Sequence, residues 1–223
     1  MKTIELNTIY NEDCLETMRR MPDNFVDLIL TDPPYGMDYL SSRRKDKFEK
    51  IKNDVDMSWV DEFAKESYRI LKNDSHIYLF CNDYGIGRFR NSLEKAGFTL
   101  KRTLVWVKNN HTSGDLLGDY ANKTEFIVYA HKGRKELNGG RETNVLYYDR
   151  VSIMEHPTEK PVSINQYFIQ KSSKEGDIVY DPFIGSGTTA RACKNLSRSY
   201  IGSELHKPYC EIAEKRLRQE TLF

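Results

Sequence analysis

The chain has 223 residues, 39% of them hydrophobic and 30% charged, enough for one α/β domain with a sizeable buried core. A formal net charge of +1 gives no global attraction to a polyanion, so a nucleic-acid partner has to be argued from local features. No apolar run is long enough to span a bilayer, and no N-terminal apolar stretch carries a cleavage site, so the expected location is cytoplasmic.

Short segments of strand character recur along the chain, at 8–10, 25–30, 76–81, 102–107, 125–130, 178–180 and 200–203. Helical patterns lie between them. Asp13 stands where it could cap a helix beginning at Cys14. Val60, Ala64, Tyr68 and Leu71 repeat at helical spacing behind Ser58, a candidate N-cap. Ile86, Phe89, Leu93 and Ala96 do the same and stop at Gly97. Tyr209, Ile212, Ala213 and Leu217 follow Pro208, which suits a first helical turn. Strands alternating with helices predict an open, mostly parallel sheet with helices on both faces.

Two stretches break the rhythm. Residues 36–57 are long, polar and basic, with Arg43 and Arg44. Residues 131–155 carry Lys132, Arg134, Lys135 and Arg141 around Gly139-Gly140. Taken as charge alone, such runs are usually solvated faces, although long loops in compact domains are often functional. Cys14, Cys81, Cys193 and Cys210 contain no CxxC pair and read as small buried hydrophobes. The five histidines show no ligand spacing, so no metal site is expected.

Two motifs carry chemistry. Thr31-Asp32-Pro33-Pro34-Tyr35 directly follows the apolar strand Val26-Asp27-Leu28-Ile29-Leu30. In open α/β sheets ligands bind at the carboxyl ends of strands, where this motif falls. The prolines fix φ and remove two donors, which leaves a rigid turn offering carbonyls. Asp32 adds a carboxylate acceptor and Tyr35 a flat ring. An acceptor pair beside a stacking ring is what recognition of a base amino group requires. The second motif is Asp181-Pro182-Phe183-Ile184-Gly185-Ser186-Gly187-Thr188, a strand running into a glycine turn and a helix. Its helix N-terminus would present free N–H groups to an anion. Glu204, at the end of the next strand, is placed to bond ribose hydroxyls. Gly185 to Ala190 also matches the GxGxxA dinucleotide fingerprint, but only one helix follows Glu204, and Asp181-Pro182 is wrong for a tight pyrophosphate turn.

Together these residues resemble the β group of DNA amino-methyltransferases, the circularly permuted N6-adenine and N4-cytosine methylases. The catalytic motif resembles Asp32-Pro33-Pro34-Tyr35, and the cofactor motif resembles Asp181 to Thr188, in the β-group order. Asn11-Glu12-Asp13-Cys14-Leu15, His156 to Pro161 and Tyr200 to Glu204 resemble further family segments, so the likeness spans nearly the whole chain. Two departures stand out. Glu12 occupies a position where Gly is common, and the segment between Ala130 and His156 is short.

The resemblance implies a Rossmann-like methyltransferase fold in one catalytic domain spanning 1–223. Its sheet would have seven strands, the last hairpin strand being antiparallel, with a mobile loop at 36–57 and a short target-recognition segment at about 131–155. It implies S-adenosylmethionine as cofactor, held by Asp13, Cys14, Lys160, Asp181, Phe183, Gly185, Ser186, Gly187, Thr188 and Glu204. The catalytic group would be Asp32, Pro33, Pro34 and Tyr35, acting on a flipped-out base in DNA. Arg43, Arg44, Lys132 and Arg134 are expected to contact DNA. Asp rather than Ser at position 32 favours adenine N6 over cytosine N4 in this family. The resemblance admits a homodimer, with no interface legible in the residues.

Overall fold

The computed structural model describes residues 3–34, 57–111, 117–151 and 159–219. In chain order the elements are β1 (Thr8–Tyr10), α1 (Cys14–Arg20), β2 (Val26–Thr31), α2 (Trp59–Ile70), β3 (Leu71–Cys81), α3 (Ile86–Ala96), β4 (Thr99–Leu100) and β5 (Leu104–Val107). They continue with β6 (Thr124–Lys132), β7 (Val145–Tyr147), α4 (Val162–Ser172), β8 (Ile178–Asp181), α5 (Thr188–Asn195), β9 (Ser199–Ser203) and α6 (Lys207–Arg218).

The strands form one sheet in the order β1-β9-β8-β2-β3-β6-β5-β7, with β4 also paired to β6. Only β6 runs against its neighbours; every pairing that does not involve it is parallel. All seven expected strands are present, and the reversed one is the second strand of the β5–β6 hairpin. The sheet also has two short strands that were not anticipated. β4 follows the end of α3. β7 takes residues 145–147 out of the supposed recognition segment and pairs them with β5. Strands of two or three residues carry too little alternation to register in a sequence. Helix α4 was missed for another reason. Its buried face includes Asn165 and Ser172, which interrupt the apolar stripe.

Strand residues alternate between two helical layers, as a pleated sheet requires. Ile29, Ile77, Leu79, Val128 and Ala130 pack with Met18, Val60, Phe63, Phe89 and Leu93 from α1, α2 and α3. Leu28, Leu30, Tyr78, Phe80, Ile127 and Val179 pack with Ile164, Phe168, Ala192 and Cys193 from α4 and α5. Each fully buried Val, Leu, Ile, Phe or Met among them contributes about 1.5–3 kcal/mol from removal of apolar surface from water. A one-residue slip of β2 would exchange Ile29 with Leu30 and put each against the wrong layer.

Local signals set the helix ends. Gly97 adopts φ 106° and its N–H reaches back to the carbonyls of Leu93 and Glu94, while Phe98 N–H also reaches Leu93. That left-handed cap is easy only for glycine. The Asp13 carboxylate accepts from Leu15 N–H and caps α1. Ser58 precedes α2 as expected but has helical dihedrals and makes no capping bond.

The order of strands explains where the site lies. β2 is flanked by β3, its successor, and by β8, drawn from the far end of the chain. After β2 the chain passes to α2 in one layer, and after β8 it passes to α5 in the other. Adjacent parallel strands whose connections leave to opposite faces open a crevice beyond their carboxyl ends. Among the described residues no helix is long and apolar enough to cross a membrane.

Candidate active site

The two motifs meet at that crevice. The Thr31 hydroxyl, last in β2, donates to Asp181 Oδ1, last in β8, at 2.6 Å across 150 residues of sequence. Asp181 Oδ1 also accepts from the Phe183 N–H at 3.1 Å, so one carboxylate ties both strand ends to the glycine turn. Burial pushes the Asp181 carboxyl up to about 6, against the hydroxyls of Thr189 and Thr31 and the Phe183 N–H, which stabilise its ionised form. Desolvation outweighs hydrogen bonding here because the group has almost no contact with water.

Asp32 heads a chain of alternating charges. Its Oδ2 accepts from Lys160 Nζ at 2.6 Å. Lys160 lies 3.2 Å from Glu125 Oε2, and Glu125 Oε1 lies 2.7 Å from Lys108 Nζ. Each ammonium also sits 5.3 Å from an aromatic ring, Lys160 over Phe80 and Lys108 over Trp106. Burial opposes the charge on Lys160, but Asp32 and Glu125 outweigh it and hold the pKa above the ordinary lysine value. Burial likewise opposes charge on Glu125, and the two lysines reverse the balance and lower it. The cluster thus sets two carboxylates against two ammonium groups. Pro33, next to Asp32, is buried, and Pro34 is half-buried.

The glycine turn follows β8. Gly185 and Gly187 have φ of 49° and 81°, both in the left-handed region. A Cβ on Gly187 would lie 2.7 Å from Ala213 Cβ, so this turn packs directly on α6. Gly187 caps α5 without any side-chain hydrogen bond, which leaves the first-turn N–H groups to an external acceptor. Ser186 Oγ accepts from Arg216 at 3.2 Å, and Arg216 also pairs with Glu159 at 2.7 Å. Asn165 of α4 reaches the hydroxyls of Thr188 and Thr189 at 3.3 Å each. Glu204, just past β9, accepts from Gly185 N–H at 3.0 Å and His206 N–H at 2.8 Å. Burial raises its pKa, opposed by those N–H groups. A carboxylate held by two backbone donors at a strand end still has lone pairs for hydroxyl donors.

The remaining expected cofactor residues fall around the same turn. Asp13 caps α1, and the carbonyl of Cys14 accepts from the Tyr180 hydroxyl at 3.3 Å. The Cys14 thiol is buried, and desolvation raises it well above the ordinary cysteine range. Phe183 packs on Trp59 and Phe63, with ring centroids 5.2 and 5.7 Å away. Lys160, expected among the cofactor contacts, is instead bonded to Asp32. An uncapped helix start beside two left-handed glycines, with a half-buried carboxylate on the neighbouring strand, suits a ligand with an anionic end and a diol. The residues present therefore fit S-adenosylmethionine.

One expected DNA contact requires correction. Lys132 is buried, and its ammonium is spent on Asn24 Oδ1 at 2.8 Å and on the carbonyls of Tyr68 and Leu71 at 2.7 Å each. Arg134 is exposed and lies two residues beyond Lys132, at the end of the sheet away from the crevice. Because β6 is antiparallel, Glu125 stands at the crevice end while Lys132 pairs with Ser75 at the other, seven residues or roughly 24 Å away. Tyr35, Arg43, Arg44 and His156 lie outside the described residues. Glu125, Lys108, Glu159, Arg216 and Asn165 are site residues that motif reading did not single out. The first two show only as charged ends of apolar strands, a weak signal without topology.

A switch-point crevice joining a carboxylate-proline turn to a glycine turn defines a Rossmann-like enzyme of methyl transfer. The DNA methylase family model matches residues 26–215, and the chain belongs to that family of N6-adenine and N4-cytosine DNA methyltransferases. Similarity extends to the type II methyltransferase M.HinfI of Haemophilus influenzae, 31% identical over 96% of this chain and 69% of that protein. M2.DpnII of Streptococcus pneumoniae is 28% identical over 95% of this chain and 90% of its own length. The crystal structure of an M1.HpyAVI–SAM complex superposes with a TM-score of 0.73 at 30% identity, covering 94% of this chain and 98% of that one. The cytosine-N4-specific PvuII methyltransferase, at 18% identity and a TM-score of 0.80 over 99% of this chain and 89% of its own, shares the fold. The chain is an S-adenosylmethionine-dependent DNA methyltransferase.

Proposed function

We propose that the enzyme methylates the N6 amino group of adenine in DNA, with Asp32 and Pro33 as the amine acceptors. The observation that carries this reading is the Thr31–Asp181 bond, which sets the carboxylate turn beside the glycine turn. When bound, S-adenosylmethionine supplies an electrophilic methyl group on a sulfonium. The first-turn N–H groups of α5, with Ser186 and Thr188, would hold its carboxylate end, and Glu204 its ribose hydroxyls. Asp13 and Phe183 would flank its adenine.

The amino nitrogen of a base is a poor nucleophile, because its lone pair is delocalised into the ring. Hydrogen bonds from that NH2 to the Asp32 carboxylate and the Pro33 carbonyl favour a pyramidal nitrogen. Such bonds strengthen as positive charge develops there. The neutral amine is too weak an acid to be deprotonated first, so Asp32 acts as an acceptor and positioner. The surplus proton leaves afterwards to Asp32 or to water. Tyr35 would stack on the flipped base and offset part of the few kcal/mol that unstacking costs.

DNA would then lie across the strand ends. The exposed side chains of Tyr84, Leu117, Tyr120 and Tyr147 all follow or terminate the crevice ends of β3, β5 and β7. Flat rings beside a crevice suit stacking on unpaired bases. Transfer of labelled methyl to unmethylated genomic DNA, followed by nucleoside analysis, tests the proposal. N6-methyladenine is expected, abolished by Asp32→Ala with cofactor binding retained. N4-methylcytosine as product would overturn the base assignment, and full turnover by Asp32→Ala would overturn the acceptor role.

A further inference from the structure

Asp32 and Glu125 share one ammonium, and the two contacts differ. Lys160 Nζ is hydrogen-bonded to Asp32 Oδ2 at 2.6 Å. Its 3.2 Å approach to Glu125 Oε2 is an ion-pair distance outside hydrogen-bonding geometry. Glu125 Oε2 is a buried oxygen without a hydrogen-bond donor. The other oxygen of the same carboxylate is held by Lys108 at 2.7 Å, which fixes the direction in which Oε2 points. An anchored carboxylate thus aims unused acceptor capacity at the cation that occupies Asp32. Buried acceptors left short of a donor are unfavourable in a resting protein and call for an explanation.

We infer that Glu125 is a positioning residue that receives Lys160 when the base amino group takes its place at Asp32. The reason is electrostatic. A carboxylate oxygen engaged by a full positive charge is a weakened acceptor for a neutral NH2. The same charge beside the nitrogen opposes the positive charge that develops there. Shifting the ammonium from Oδ2 toward Oε2 weakens both obstacles. The unbranched lysine stem allows a short displacement across the Phe80 ring, and the net charge of the buried cluster does not change. No ion has to be returned to water or taken from it, so the large desolvation terms cancel. Glu125 then gains the hydrogen bond that it lacks at rest.

This inference rests on Asp32 being the amine acceptor, and the experiment separates the two. Single-turnover methyl transfer to unmethylated genomic DNA, calorimetric affinity for S-adenosylmethionine and melting temperature are measured for Glu125→Gln, Glu125→Asp, Lys108→Gln and Asp32→Ala. The expected result for Glu125→Gln is a rate lowered at least about tenfold with cofactor affinity within about twofold, because the neutral amide cannot take the ammonium. Glu125→Asp, which keeps the charge, is expected to recover part of the rate. A wild-type rate for Glu125→Gln overturns the inference. So does an Asp variant no better than the Gln variant, or a rate loss matched by an equal loss of cofactor affinity. If Glu125→Gln does not fold, Lys108→Gln carries the test by freeing the far oxygen of Glu125. A rate loss of about three- to tenfold is expected there, and an unchanged rate overturns the inference. An active Asp32→Ala overturns the acceptor reading itself. An inactive Asp32→Ala beside a fully active Glu125→Gln overturns only the role of Glu125.

Discussion

Glu159 and Lys160 are neighbours in the chain yet bind opposite halves of the site. Glu159 pairs with Arg216, which also donates to Ser186 of the glycine turn, and Lys160 pairs with Asp32 of the carboxylate-proline turn. Two consecutive side chains thereby bridge the glycine turn and the carboxylate-proline turn. The entry to α4, which begins two residues later at Val162, is held in place by both.

Arg216→Met removes the cation from a mostly buried pair and leaves Glu159 without that partner. Breaking one side of such a pair costs about 3–5 kcal/mol when the other charge stays buried. Thermal denaturation should show a lower melting temperature, and the cofactor Kd should rise because Ser186 loses its donor. An unchanged Kd would mean that Arg216 serves the fold alone.

Gly187→Ala places a methyl group within 2.7 Å of Ala213 Cβ and demands φ of 81° from an L side chain. Backbone strain of this kind costs about 1–3 kcal/mol, and the α6 contact has to open as well. The variant should melt several degrees below the parent and bind S-adenosylmethionine more weakly. Gly140→Ala, which has a similar φ but open space around it, controls for backbone strain by itself and should lose less.

Lys132→Met should destabilise the protein without weakening DNA binding. Its ammonium satisfies three oxygens beneath the sheet, and stranding buried acceptors costs about 1–3 kcal/mol. Arg134→Ala should leave both properties near the parent values. Tyr120→Ala and Tyr84→Ala, at the crevice end, should instead lower DNA affinity at constant stability. Filter binding across salt concentrations, alongside thermal melts, distinguishes the two ends of the sheet.

Mild acid should destabilise the native state. His76 is buried against Ser172 and the Lys135 carbonyl, and burial, with His131 nearby, lowers its pKa to about 3. Burial also lowers His131 to about 4. Both values lie below the ordinary 6.5, so their contribution is complete above that pH and is lost as pH falls through it. Asp181 acts in the opposite sense. Its folded value near 6 exceeds the ordinary 3.8, so it favours the native state increasingly as pH drops through 6. Between neutrality and pH 5 two histidines lose stability while one carboxyl regains it, so the histidines decide the sign. Denaturant unfolding at pH 7.5 and near pH 5 checks this. The His131→Gln variant should lose distinctly less stability between those two values than the parent does.

The legible part of this protein was local. Gly97 as a helix stop, Pro208 in a first turn, and the alternation of Leu28, Ile29 and Leu30 follow from short-range stereochemistry, which the chain carries with it wherever it goes. The Asp32 and Asp181 turns are readable because a strand end followed by Pro or Gly offers backbone groups to a ligand in any α/β sheet. Charge was not readable in this way. Lys132 and Lys160 look alike in sequence, and one is a structural cation beneath the sheet while the other grips the Asp32 carboxylate.

Sequence alone determined seven of the strands, the two turns in which Pro or Gly follows a strand end, and the order in which they occur. Tertiary structure alone decided that β8 lies beside β2, that β6 runs backwards, and hence that Glu125 shares Lys160 with Asp32 while Lys132 faces away. The physical reason is that dihedral preferences and periodicity act over a few residues. Strand direction and the sharing of a buried ammonium depend on which surfaces the whole chain can desolvate together.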